Sequence, residues 1–241
     1  MSAEKIVFFD LPSKPPCKGW SLNPWKTRFA LNFKGIDYKV EWVEYPDIKP
    51  KFQGHFAKEP SLYTIPTVIL PDGTWVMDSW EIAAALEKSH PEPSLHLDSP
   101  YEPKLKALLP QIVTPLRPVY IPLVPNRLLN EASIPYWVET REKLAGMPLD
   151  RYGVELGGEK AWKAAQPHLE TVTAWLKENG DGPYFLGKTV SFTDFVWAGF
   201  LIFLRRIGED VYEKALEVTG DKEVHLKLLE GVKPWAQRDG D

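Results

Sequence analysis

The chain carries one cysteine, Cys17, in 241 residues. It can make no internal disulfide, which points to a reducing compartment. Long apolar runs are missing too: Ile6-Val7-Phe8-Phe9 near the N-terminus is far too short for a membrane span or a signal-peptide core. The charge has no dominant sign, since 29 basic and 33 acidic residues leave a net −4 with no basic stripe or like-charged block. Nucleic acid therefore has no electrostatic footprint to meet. The five histidines (His55, His90, His96, His168 and His225) share no close metal-ligand spacing with Cys17 or with each other, so no metal site is expected. These absences describe a cytoplasmic protein whose partner is a small molecule or another protein, not a membrane.

Aromatic and proline residues, by contrast, are plentiful: ten Trp, nine Tyr, eleven Phe and 23 Pro. With 44% apolar and 26% charged residues, one or two domains with an ordinary core are affordable. The run "IVFFDL" within Lys5–Leu11 reads as a strand. After the polar loop "PSKPPCKGWSLN", Trp25, Phe29, Phe33 and Ile36 recur at helical spacing, with Gly35 as a stop. "YKVEWVEY" (Tyr38–Tyr45) alternates as a strand does. Thr67–Leu70 and Thr74–Met77 flank Pro71-Asp72-Gly73, a strong hairpin turn, and a helix follows from Ser79 to about Ser89. Residues 1–90 thus predict an α/β domain with a mixed sheet.

Residues 91–100, rich in proline and polar side chains, read as a linker. From 101 to 241 the pattern is helical, in Tyr101–Leu109, Pro135–Ala145, Glu159–Glu178 and Ser191–Arg206 and again toward the end. Pro110, Pro115, Pro118, Pro122 and Pro125 interrupt this part, and each costs about 3 kcal/mol in a helix interior. That stretch is expected to kink or unwind, either to shape a cleft or to form a solvent-facing connection.

Gly182–Thr189, "GPYFLGKT", matches the phosphate-loop pattern literally. Its context does not: Pro183 has no N–H, Tyr184-Phe185-Leu186 are bulky, and no buried strand precedes it. Ser191 through Asp194 form a capping box with Val190 and Phe195 as its hydrophobic staple, so the segment is a helix start.

Three short features carry chemistry. Asn23 before Pro24 reads as a helix cap with proline at the first helical position. Ser21 then lies just beyond the positive helix end, where a hydroxyl can donate to a bound thiolate or serve as an ordinary turn serine. Asp78-Ser79 reads as a capping pair with Ser79 at the N-cap, and it also suits the ammonium and carboxylate of an amino acid. Ile65-Pro66 enters the third strand, where proline is awkward.

In this order, with "SLNPWKTRFAL", "IPTVILPDGTWVMDS" and "FLGKTVSFTD", the chain resembles the cytosolic glutathione transferases over nearly its whole length. It is most similar to the fungal FuA class related to bacterial lignin β-etherases. The resemblance implies a thioredoxin-like N-terminal domain with a mixed four-stranded sheet, an all-α C-terminal domain and a homodimer. It implies no permanently bound cofactor, with glutathione as co-substrate. Ser21 falls at the catalytic position, with Asn23 as a second polar contact near the sulfur, and Cys17 does not fall there. Ile65 and the cis-proline Pro66 match the cysteinyl site, Asp78 and Ser79 the γ-glutamyl site, and Lys51, with Gln53 as rival, the glycine carboxylate site. Trp25, Tyr101 and Tyr120 are candidates for an aromatic wall that takes hydrophobic or phenolic ligands. The implied activity is attack of the glutathione thiolate on electrophiles or peroxides. A non-catalytic carrier of plant phenolics and β-aryl ether cleavage are its alternatives.

Overall fold

The computed structural model describes residues 5–180 and 182–240. Strands β1 (Ile6–Asp10), β2 (Tyr38–Trp42), β3 (Thr67–Ile69) and β4 (Trp75–Met77) form a four-stranded sheet in the order β2-β1-β3-β4. β1 runs parallel to β2 and antiparallel to β3, with Phe8 opposite Val40 on one side and Val68 on the other. The helices α1 (Leu22–Phe33), α2 (Ile48–Phe52) and α3 (Ser79–Ser89) accompany the sheet. The parallel pair needs a crossover, and α1 supplies it. The hairpin closes at Pro71-Asp72-Gly73, where Gly73 has φ +83°; the Asp72 carboxylate accepts the Thr74 N–H at 2.9 Å.

The rest is helical: α4 (Tyr101–Tyr120), α5 (Val124–Arg127), α6 (Ile134–Ala145), α7 (Leu149–Leu156), α8 (Gly158–Glu178), α9 (Phe192–Ile207), α10 (Glu209–Val218) and α11 (Lys222–Val232). The expected unwinding at the prolines is corrected in part. α4 runs unbroken through Pro110, Pro115 and Pro118, because packing of Leu105, Leu108, Leu109, Ile112 and Leu116 into the core offsets the lost backbone bonds. The helix ends just before Pro122, and Pro125 sits in the first turn of α5, where its missing N–H costs nothing.

α9 is apolar almost all round and buried, as a central helix must be. Its capping box forms as the sequence predicts: the Asp194 carboxylate accepts the Ser191 N–H and hydroxyl, each at 2.7 Å, and the Phe185 N–H at 2.9 Å. The phosphate-loop look-alike folds into a turn with isolated bridges from Tyr184 to Gly187 and from Leu186 to Thr189. α1 crosses α9 at Gly199, where a Cβ would stand 3.2 Å from the Trp25 Cβ and 3.3 Å from the Leu22 carbonyl oxygen. The two parts of the chain thus share one core through α1.

His225, also buried, accepts the Trp197 indole N–H on Nδ1 at 2.9 Å. Nε2 therefore carries the proton and meets the Thr173 hydroxyl at 2.8 Å. Burial lowers its pKa to about 4. The folded value lies below the ordinary 6.5, so this neutral histidine stabilises above about pH 6.5 and that contribution is lost as pH falls through 4. The buried Asp194 moves oppositely, raised to about 6 by burial. The clean readout is therefore a difference: the stability gap between wild type and His225→Gln should narrow between pH 6.5 and 4 in urea unfolding. A gap independent of pH would remove His225 from the acid response.

Candidate active site

The loop from β1 to α1 sits on a buried ion pair. Arg28 and Asp10 have no exposed side-chain surface, and Nη2 lies 2.6 Å from Oδ2. The other Asp10 oxygen accepts the Leu11 N–H at 2.6 Å, and Arg28 Nη1 donates to the Arg238 carbonyl. Gly19 lies across the pair: a Cβ there would be 3.3 Å from both Arg28 nitrogens and from Asp10 Oδ2. The Trp20 indole donates to the Pro12 carbonyl and the Trp25 indole to that of Gly19, each at 3.1 Å. Charge, glycine and two indoles together fix the residue before Ser21.

Ser21, not Asn23, is the N-cap of α1, with extended φ/ψ of −76° and 138°. This corrects the sequence reading. Pro24 stands third in the helix, still among the positions whose N–H needs no intrahelical partner, so the proline signal was displaced by two residues. The Ser21 hydroxyl makes no cap bond and engages no partner among the described residues. It lines a cleft of about 420 Å³ together with Asn23, Ile65 and Tyr120.

Asn23 Oδ1 accepts from the Lys26 ammonium at 2.8 Å. An ammonium only donates, so this bond turns the amide Nδ2–H donors away from Lys26. Lys26 was absent from the sequence-derived set, although its place one turn after Asn23 is a readable signal. It is buried, with its charge 5.4 Å over the Trp80 ring. Burial pushes it down to about 8; Asp78 pulls it up and Lys106 pushes it further down. It stays cationic at neutral pH.

The Ile65–Pro66 peptide bond is cis. Pro66 accepts the Asp78 N–H at 3.2 Å through its carbonyl, whereas the N–H and C=O of Ile65 have no partner among the described residues. Asp78, not Ser79, caps α3: it takes φ +81° and its Oδ1 accepts the Trp80 N–H at 2.8 Å. Ser79 is the buried first residue of that helix. Both lie beside the cleft rather than in its lining.

Three candidates are placed elsewhere. Lys51, on α2, is ion-paired to Glu41 of β2 and lies over the Phe9 ring at 5.6 Å; its rival Gln53 lines an adjoining groove that shares Ile48 and Tyr63 with the cleft. Trp25 is core, packed between Phe29 and α9. Tyr101 is buried near Phe185, its hydroxyl donating to Glu178 at 2.6 Å. Tyr120 does line the cleft, and its phenol, pushed up to about 12 by burial against the opposing Arg117 charge, stays protonated. Cys17 stays in the loop, its thiol pKa raised by burial. Sequence reasoning missed Trp20, Tyr45, Trp137, Arg117 and Arg141, which complete the walls.

A mixed sheet entered by a cis-proline and backed by a helical array is the glutathione transferase fold. The chain belongs to the glutathione S-transferases: the family models for the N-terminal and C-terminal domains match residues 20–89 and 105–235. A glutathione S-transferase of Ceriporiopsis subvermispora, solved in complex with glutathione, is 32% identical with a TM-score of 0.84, over 97% of this chain and 98% of that one. GSTFuA3 of Phanerochaete chrysosporium is 29% identical with a TM-score of 0.84, over 99% and 100% of the two chains. The glutathione S-transferase-like protein ustS of Aspergillus flavus is 27% identical over 98% of this chain and 92% of its own length. The resemblance to the fungal FuA class therefore holds at the level of whole solved structures. Among the described residues no group of His, Cys, Asp and Glu could hold a metal ion, and no helix is long and apolar enough to cross a membrane.

Proposed function

We propose that the protein is a serine-type glutathione transferase. One observation carries this reading: an unengaged Ser21 hydroxyl at the N-cap of α1 shares a cleft with Ile65, whose backbone N–H and C=O have no partner among the described residues. The Ile65 backbone suits the cysteinyl unit of glutathione, and the sulfur then lies toward Ser21 and Asn23. The γ-glutamyl end extends past Pro66 to Asp78 and Ser79. The Ser21 hydroxyl, the Asn23 amide and the helix end stabilise the thiolate, lowering the thiol pKa from about 8.5 toward neutrality.

The thiolate attacks an electrophilic carbon, or a peroxide as a side activity. Binding supplies proximity, and no group of the protein needs to exchange protons in the attack. Gln53, whose groove adjoins the cleft through Ile48 and Tyr63, and Lys51 on the same helix region stay the candidates for the glycine carboxylate. The reading includes a cytoplasmic homodimer, with detoxification as its role.

Ultraviolet absorbance of bound glutathione tests the reading, with S-methylglutathione as the control that cannot ionise. The bound thiol should titrate below the free one, and a chlorodinitrobenzene should be conjugated. An unshifted thiol together with no conjugation would end it. A carrier function is the second reading, favoured by the aromatic walls built from Trp20, Tyr45, Tyr120 and Trp137. Titration with phenolics beside a turnover screen separates the two: tight binding with negligible conjugation selects the carrier.

A further inference from the structure

The cleft is cationic without a counter-charge. Arg117 and Arg141 are its charged lining residues, and no Asp or Glu among the described residues lines it. Neither guanidinium is paired with a carboxylate among the described residues. Arg141 lies over the Trp137 ring at 4.3 Å and 5.7 Å from the Tyr45 ring, with Nη1 donating to the Thr140 hydroxyl at 2.9 Å. Its other in-plane donors remain free. Arg117 stands one helical turn before Tyr120 on α4, where its charge and a hydrogen bond to the phenol oppose the rise in that phenol's pKa. Glu44, next to Tyr45, is turned away into bonds with Asn130, at 2.8 Å, and Ser133.

Two cations lining one cleft without a carboxylate partner among the described residues lose hydration there, and an anion seated between the aromatic walls offsets that loss. The two arginines belong to α4 and α6, whereas Ser21 and Ile65 belong to the sheet-containing part of the chain. The second substrate, not glutathione, is thus the molecule they face.

We propose that the cleft selects aromatic acceptors carrying an anionic group, a carboxylate or sulfonate, with Arg117 and Arg141 as its specificity residues. The inference rests on the glutathione-conjugating reading of the same cleft. The forked guanidinium binds the anion in two parallel bonds while the ring lies against Trp137, Tyr45 or Trp20.

A chlorodinitrobenzoate and its methyl ester test this, each kcat/KM being divided by the uncatalysed rate with glutathione because the ester activates the shared ring more strongly than the carboxylate. In both, the thiolate adds to the chlorine-bearing carbon, the C–S bond forms, the C–Cl bond breaks and chloride leaves. The carboxylate should show the higher normalised kcat/KM. Its advantage over the ester should fall about tenfold or more in Arg117→Met and in Arg141→Met, and should shrink as salt is raised toward about 0.5 M. A wild-type ratio at or below unity that neither variant moves would overturn the proposal, as would variants that raise only the KM for glutathione.

A binding arm stands apart from turnover. Anilinonaphthalenesulfonate should bind about tenfold or more weaker to the arginine variants, with neutral phenylnaphthylamine much less affected. If no acceptor is conjugated, the glutathione reading fails while this arm still decides the anion site. Equal loss of both dyes, or of neither, overturns it.

Discussion

Replacing Asp10 by alanine should cost the fold about 3–5 kcal/mol, a large share of the roughly 5–15 kcal/mol that holds such a protein together. The reason is asymmetry within the pair. Arg28 cannot shed its proton, so without Asp10 a full charge remains buried beneath Phe8, Trp25 and Trp42, whose rings lie 5.2, 5.8 and 5.8 Å away. Its Nε already lacks a partner among the described residues, and the Arg238 carbonyl alone is a poor substitute for a carboxylate. Arg28→Met should be milder, because Asp10 can be neutralised. Burial outweighs the arginine and raises the Asp10 pKa even in the intact pair. For a carboxyl whose folded pKa is raised, stability falls as pH climbs above the ordinary value of about 3.9. The Arg28→Met loss should therefore grow from there upward and then level off. The double variant Asp10→Ala, Arg28→Met should be more stable than Asp10→Ala alone. Urea unfolding followed by tryptophan fluorescence gives all three values. Equal and additive losses would mean that the pair is not the unit described here.

That pair also marks where the sequence stops being legible. Features written in adjacent residues were readable: the hairpin at Pro71-Asp72-Gly73, the capping box at Ser191 through Asp194, and the alternation or helical period of the longer elements. The caps of α1 and α3 were each misplaced by one or two residues. Proline is tolerated anywhere in a first helical turn, and Asp78 caps from a positive φ that no local pattern announces. The prolines of α4 were read as breaks because single-residue cost ignores what a long buried helix face returns. Which aromatics reach the cleft could not be read either. Trp25, Tyr101 and Tyr120 look alike on paper, and only the packing of α1 on α9 and of α4 on α8 turns one outward and two inward. Arg117 and Arg141 lie on separate helices, so their sharing one cleft is a property of the fold rather than of any motif. Ser21, Ile65-Pro66 and Asp78 could be singled out because each lies at the end of a strand or the start of a helix, whereas the cis form of the Ile65–Pro66 bond is a property of the fold that no residue pattern announces.

Changing Asn23 to aspartate should leave the protein at least as stable while lowering turnover at pH 7 about 10–100-fold. The substitution is nearly isosteric. Its oxygen still accepts from Lys26, as Asn23 Oδ1 does at 2.8 Å, and a carboxylate in the first turn of α1 favours the helix dipole. Lost are the Nδ2–H donors, and a negative charge is gained beside the thiolate. Both changes raise the thiol pKa. If it moves from about 6.5 back to about 8.5, the thiolate fraction at pH 7 drops from about three-quarters to about 3%, or some 25-fold. Ser21→Ala removes the other donor without adding charge, so its loss should be smaller. Removing both donors in Ser21→Ala, Asn23→Ala should approach that same limit of about 25-fold, which is set by a thiol returned to its unaided pKa. Rate against pH supplies the check: all three variants should recover most of their deficit as pH approaches about 9, where the thiol ionises unaided. Lys26→Met, which frees the amide to turn, should shift the profile the same way by less. An unchanged profile in Asn23→Asp would assign the thiolate to Ser21 and the helix end alone, whereas a deficit that persists at high pH would mean that Asn23 positions the substrate instead.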